Sequence, residues 1–143
     1  LTKDVRAAGY TLPLLGADGW DGASTILAGE DGKGDVTPLN NSYFSNHYAA
    51  DDENAKAFVA AYKARYGESP NAFSALGYDA AYIAKAAIEK AGTTDKSAVV
   101  QALTTVTYSG VTGEFTYNET GNPVKKIVIC EYVNGVVTFK ESK

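Results

Sequence analysis

Residues 51–66 carry the clearest hydrophobic rhythm in the chain. Ala55, Phe58, Val59, Tyr62 and Tyr66 fall at i, i+3, i+4, i+7 and i+11, one apolar stripe of a helix. Asp51 or Asp52 is the expected N-cap, and Asp51, Asp52 and Glu53 bring negative charge to the positive end of the helix dipole. Gly67 ends this helix after Lys63 and Arg65. Pro70 opens a second one. Its pattern of Leu76, Ala80, Ile83, Ala84, Ala87, Ile88 and Ala91 runs to Gly92, an alanine-rich face suited to close packing. A third helix is predicted from Thr94 or Asp95 to about Thr105, burying Val99, Val100, Leu103 and Val106.

The flanking regions follow other rhythms. Leu1 to Ala8 reads as the last turns of a helix, closed by Gly9. Leu12-Pro13-Leu14-Leu15 reads as a strand running into the glycine-rich turn Gly16 to Gly22. A short helix around Ser24 to Ala28 and a polar loop to Asp35 follow. Val36 to Phe44 is a weak strand pattern, and Pro38 places it at an edge or a strand end. After Tyr108 the period becomes two. Glu114 to Asn118 alternates, Glu119 to Pro123 is a turn, and Val124 to Val133 is one long β-branched strand. Asn134-Gly135 predicts a type I′ hairpin closed by Val136 to Phe139. The order of elements predicts an α/β protein with a mostly parallel sheet and an antiparallel edge.

Composition narrows the function classes. The chain has 143 residues, 45% hydrophobic and 21% charged. That is ordinary globular composition, and it excludes collagen-like and disulfide-scaffold chains. No run reaches the ~18 apolar residues of a membrane span. A net charge of −4 argues against electrostatic binding of nucleic acid. There is no Met, and the first helix starts near its own end, so a fragment or a processed product is expected.

Few residues offer chemistry. Asp18 follows a predicted strand among small residues, and ligands of open α/β sheets sit beyond the carboxyl ends of strands. Two readings of Asp18 stay open: an acceptor for a ligand ammonium, or an Asx-turn residue that shapes the loop. Trp20 beside it walls a pocket or covers the core edge. Asp18 with Asp21 is formally a carboxylate pair for acid–base work, but Asp21 sits where a helix N-cap is expected. His47 has no serine partner in the sequence and reads as a surface or hydrogen-bonded residue. Cys130, the only cysteine, lies in Ile127-Val128-Ile129-Cys130 and reads as a small buried hydrophobe. Asp31-Gly-Lys-Gly-Asp35 lacks the acids of a calcium loop, so no metal is expected.

Four motifs occur in a familiar order. They are Leu14-Leu15-Gly16-Ala17-Asp18-Gly19-Trp20-Asp21; Tyr43-Phe44-Ser45-Asn46-His47-Tyr48 with Asp51-Asp52 and Phe58 to Gly67; Pro70-Asn71-Ala72-Phe73-Ser74-Ala75-Leu76-Gly77-Tyr78-Asp79-Ala80; and Gly110-Val111-Thr112-Gly113 with Phe115 and Gly121-Asn122-Pro123-Val124. Together they resemble the branched-chain amino-acid-binding proteins of ABC transporters, the type I periplasmic binding proteins. That family has two flavodoxin-like α/β lobes joined by three crossovers, with the ligand between the lobes. Complete members are more than twice this length. The resemblance therefore implies a C-terminal fragment ending in a β-hairpin. Residues 1–69 would belong to the C-terminal lobe, 70–126 to the N-terminal lobe, and 127–143 to a crossover and the terminal hairpin.

The resemblance also implies a function. Asp18 falls at the family's acid for the ligand's α-ammonium, and Trp20 lines the same cleft. Phe73 and Ala75 fall near the third crossover, where the family often covers the ligand with an aromatic. The implied protein is a bacterial solute-binding component of an ABC transporter, periplasmic or a membrane-anchored extracellular lipoprotein. Its ligand would be an amino acid, and its partner a membrane permease. No enzyme activity, cofactor, metal or nucleic acid is implied. A ligand-sensing receptor domain on the same fold is the alternative, as is a binding protein for an amide, urea-like or aromatic acid solute. The missing lobe partners imply that the fragment pairs with itself or with the absent N-terminal part.

Overall fold

The run at Leu14 becomes a strand because a partner later in the chain completes it. The computed structural model describes residues 1–143. In chain order the elements are α1 (Thr2–Ala7), β1 (Leu14–Gly16), α2 (Ala23–Ala28), β2 (Ser42–Asn46) and α3 (Lys56–Tyr66). Then come α4 (Ala72–Ala91), α5 (Lys96–Leu103), β3 (Tyr108–Gly110), β4 (Gly113–Tyr117), β5 (Pro123–Lys125), β6 (Val128–Val133) and β7 (Val136–Ser142). They form two compact units: Leu1–Asp52 with Ile127–Lys143, and Glu53–Lys126.

The first unit is built on a sheet of order β1-β2-β6-β7. β1 and β2 are parallel, with Leu14, Leu15 and Gly16 beside Ser42, Tyr43 and Phe44. The other two pairings, β2 with β6 and β6 with β7, are antiparallel. β2 alternates burial along its length, so Ser42, Phe44 and Asn46 face inward. Leu39, Phe44, Ala49, Val128, Cys130 and Tyr132 make the core, with Trp20, Leu27 and Phe139 packed against it. Phe44 and Tyr132 stack with ring centroids 5.3 Å apart. Asn134 and Gly135 both have positive φ, 51° and 79°, as the type I′ hairpin requires. Arg6 donates to the carbonyls of Tyr10, Leu12, Asn40 and Asn41, tying α1 to the starts of β1 and β2.

Several predicted elements differ. Val36 to Phe44 is not one strand: Thr37–Leu39 is a 3-10 turn and the strand begins at Ser42. Pro38 suits the first turn of such a helix, where a missing N–H costs nothing. Neither Asp51 nor Asp52 caps α3. A 3-10 turn, Glu53–Ala55, comes first, and the α3 N-cap is Ala55. Asp51 instead accepts the Phe139 N–H, at 2.9 and 3.0 Å from its two oxygens. The run from Val124 to Val133 breaks after Lys125 into β5 and β6, which belong to different sheets.

The second unit holds α3, α4, α5 and an antiparallel sheet β3-β4-β5. Asn71 caps α4 by accepting from the Ser74 N–H at 3.0 Å, and Asp95 caps α5 through Ala98. The buried face of α4 is Ala72, Ala75, Asp79, Ile83 and Ala87, a rotation away from the predicted stripe. Asp79 explains the rotation. It is 1% exposed, and its two oxygens accept from the Val111 and Thr112 N–H groups at 2.9 and 2.8 Å. A carboxylate fixed to the β3–β4 connection thus occupies the core face. No α5 residue is fully buried, Val100 is largely exposed, and Val106 just beyond the helix is buried instead.

Candidate functional site

β1 ends at Gly16, and one extended residue, Ala17, leads into the 3-10 turn Asp18–Trp20. This places Asp18 beyond the carboxyl end of a parallel strand, where open α/β sheets take ligands. Three anchors hold the turn. Trp20 lies over Gly16, and a Cβ on Gly16 would stand 2.4 Å from the indole Cδ2. Only glycine leaves that room. Tyr132 on β6 shares its hydroxyl proton between the carbonyls of Trp20 and Asp21. Asn46, 2% exposed at the end of β2, donates Nδ2–H to Asp21 Oδ1 at 2.9 Å.

Both readings of Asp18 find support in this geometry. Its Oδ1 accepts from the Gly19 N–H at 3.0 Å, which shapes the turn. Its Oδ2 faces His47 Nε2 at 3.8 Å, and the side chain is 60% exposed. One carboxylate oxygen therefore remains open to a ligand. Asp21 does not cap α2: the N-cap is Gly22, and the Asp21 carboxylate is engaged by Asn46.

The site is electrostatically negative underneath. Burial pushes the Tyr48 hydroxyl up to about 12, and the charges of Asp21 and Asp51 add to the shift. Burial likewise pushes the Cys130 thiol up to about 12, with the same two carboxylates contributing. Cys130 is 0% exposed and unpaired, the small buried hydrophobe expected. Such a field favours cationic groups over anionic ones.

The other two candidate residues lie in the second unit. Phe73 stands in the first turn of α4 and is 71% exposed. Ala75, two residues on and turned to the buried side of α4, is fully buried. A concavity of about 530 Å³ lies elsewhere, lined by Lys3, Arg6, Ala7, Asp35, Thr37 and Pro38. None of the candidate residues lines it, and its guanidinium is spent on four backbone carbonyls. Asp31 and Asp35 accept from the backbone of Lys33 and Thr37 two residues on, as turn formers do.

Sequence reasoning missed three supports of the site: Asn46, His47 and Tyr132. The alternation Ser42, Phe44, Asn46 carried a signal for the first, since it turns a buried polar side chain inward at the strand end.

Comparison with known proteins gives consistent results. The family model described as periplasmic binding protein matches residues 1–136. The leucine-, isoleucine-, valine-, threonine- and alanine-binding protein of Pseudomonas aeruginosa is 27% identical over 123 residues, 85% of this chain and 31% of that one. The crystal structure of a leucine-binding protein LivK from Thermotoga maritima is 33% identical, with a TM-score of 0.80 over 99% of this chain and 40% of that one. LivJ from Streptococcus pneumoniae, solved in complex with isoleucine, is 26% identical, with a TM-score of 0.77 over 99% and 39%. The chain thus spans about two fifths or less of the length of these relatives.

Proposed function

The chain belongs to the periplasmic binding protein family, and we propose that it is the C-terminal part of an ABC-transporter solute-binding protein that takes a branched-chain amino acid. The observation that carries the reading is the Asp18 carboxylate. It is braced at one oxygen and open at the other, at the end of a parallel strand. An ammonium group donates to such an oxygen in a charge-assisted hydrogen bond. The negative field of Asp21 and Asp51 supports the same sign of ligand.

The remaining parts follow from this reading. Trp20 walls the ligand beside Asp18 in this reading, and Phe73, exposed in the first turn of α4, and Ala75, buried two residues on, keep the ligand-binding roles that the family resemblance implies. Residues 1–69 are assigned to the C-terminal lobe, 70–126 to the N-terminal lobe, and 127–143 to the return. The pairing of β6 with β2 supports that return. The ligand lies between the lobes of the complete protein, and closure over it presents the loaded form to a membrane permease. Binding and release, not bond making, are the work of the protein, and its location is extracytoplasmic. The expectation of pairing with a second copy finds no support and is dropped.

Titration calorimetry of the complete protein with leucine, isoleucine and valine tests the reading. Saturable heat is expected with at least one of them. Loss of a charge-assisted bond in Asp18→Ala should weaken binding by roughly tenfold or more. No heat with any of the three, or unchanged affinity in Asp18→Ala, overturns it.

A further inference from the structure

We propose that His47 is a positioning residue for Asp18, and that its protonation closes Asp18 to a ligand ammonium. This rests on the assignment of Asp18 as the ammonium acceptor. β2 ends at Asn46, and the parallel pairing of β1 with β2 brings the ends of the two strands side by side. His47 is thereby set against the turn that carries Asp18. Its backbone N–H donates to Asn46 Oδ1 at 2.8 Å, which fixes the residue to the same asparagine that braces Asp21. Its Nε2 stands 3.8 Å from Asp18 Oδ2, the oxygen that the turn leaves open. Its Nδ1 is buried with no hydrogen-bond partner. The ring therefore has one interaction to make, and that interaction is with the ligand's acceptor.

The two protonation states act differently on the same oxygen. A neutral imidazole leaves the carboxylate charge uncompensated and free for a cation. An imidazolium neutralises it, and also repels an ammonium arriving at the same place. The ionisable side chains that follow His47 in its own connection are Tyr48, Asp51 and Asp52, and Asp21 is held by the same Asn46 that accepts the His47 N–H. On β6, Val128 stands at the register position of Asn46 and brings no charge. No cation of this set competes with His47 for Asp18. Histidine is the side chain whose charge ordinarily changes between pH 5 and 8. Carboxylates ordinarily stay ionised across that interval, and leucine keeps its ammonium.

The experiment is calorimetric titration of the complete protein with leucine at pH 8.0, 7.0, 6.0 and 5.5, for the wild type, His47→Gln and Asp18→Asn. Affinity of the wild type should fall on acidification, by roughly twofold to fivefold, the scale of one partly exposed ion pair. His47→Gln should lose the pH dependence of leucine affinity, whatever its affinity at pH 8.0. Asp18→Asn should bind weakly at every pH. A flat wild-type profile, or the same fall in His47→Gln, overturns the role of His47 while leaving the Asp18 reading intact. Unchanged leucine affinity in Asp18→Asn overturns the Asp18 reading and this proposal with it. A second readout needs no variant of stable fold. At pH 6.0, saturating leucine should move the imidazole NMR signals of His47 toward the neutral form, because binding and proton uptake are reciprocal. Signals that do not move overturn the proposal.

Discussion

Trp20 has its place because Gly16 has no side chain. The indole occupies the volume a Cβ would take, 2.4 Å away. Gly16→Ala must push the ring outward, and overpacking of this kind costs about 1–3 kcal/mol. Urea unfolding should show that loss. Trp20 is the chain's only tryptophan, so its emission should move to the red as the ring gains water. An unchanged midpoint and an unchanged spectrum would mean the strand shifts instead of the ring. At this scale the sequence was readable where chemistry is local. Asp18 and Trp20 stand in one glycine-rich turn, and the turn chemistry marked them. His47 and Tyr132 reach the same turn from β2 and β6. Their contacts exist only through strand pairing, which periodicity does not specify.

At the scale of elements, α4 shows how one polar residue overrides a hydrophobic stripe. The apolar positions from Leu76 to Ala91 predict a face that omits Asp79, since a lone carboxylate is expected in water. The helix buries Asp79 because two backbone N–H groups wait for it. Gly110 makes the approach possible: a Cβ there would meet Asp79 Oδ1 at 2.4 Å. Lys125 steadies the same connection by donating to Thr112 Oγ1 at 2.8 Å, and burial lowers its own pKa. Asp79→Ala would leave the half-buried Val111 and the buried Thr112 N–H groups without acceptors. The expected cost is about 2–4 kcal/mol, checked by denaturant unfolding, with Asp79→Asn intermediate because one oxygen remains. A loss no larger than that of an exposed substitution would show that water satisfies those groups. The break between β5 and β6 has a similar origin. Val124 to Val133 reads as one β-branched run, but the polar pair Lys125-Lys126 interrupts it where β5 ends, and that pair marks where one sheet releases the chain and another receives it.

For the whole molecule, the hydrophobic pattern alone predicted one α/β domain, and it placed every helix near its true position. The order of family motifs, not the pattern, pointed to two lobes. The structure holds two sheets in two compact units, with a single parallel pair. Periodicity could not show this, because a strand's period is the same whichever sheet it joins. The pH response of the fold also belongs to this scale. Cys130 and Tyr48 are neutral acids buried in the first unit, each pushed up to about 12 from ordinary values of 9.0 and 10.0. Burial raises Tyr132 in the same direction. As pH rises, the unfolded chain ionises first. The stabilisation is therefore complete below about pH 9, the ordinary thiol value, and is lost progressively toward about pH 12. The net charge of −4 adds to it, because each new anion enters an already negative molecule. Urea midpoints for the complete protein should hold steady from pH 7 to 8.5 and fall steeply above it. Tyr48→Phe removes one of the groups that must ionise, so its midpoint should fall less between pH 10 and 11 than that of the wild type. Parallel profiles for the two proteins would place the alkaline sensitivity outside this core.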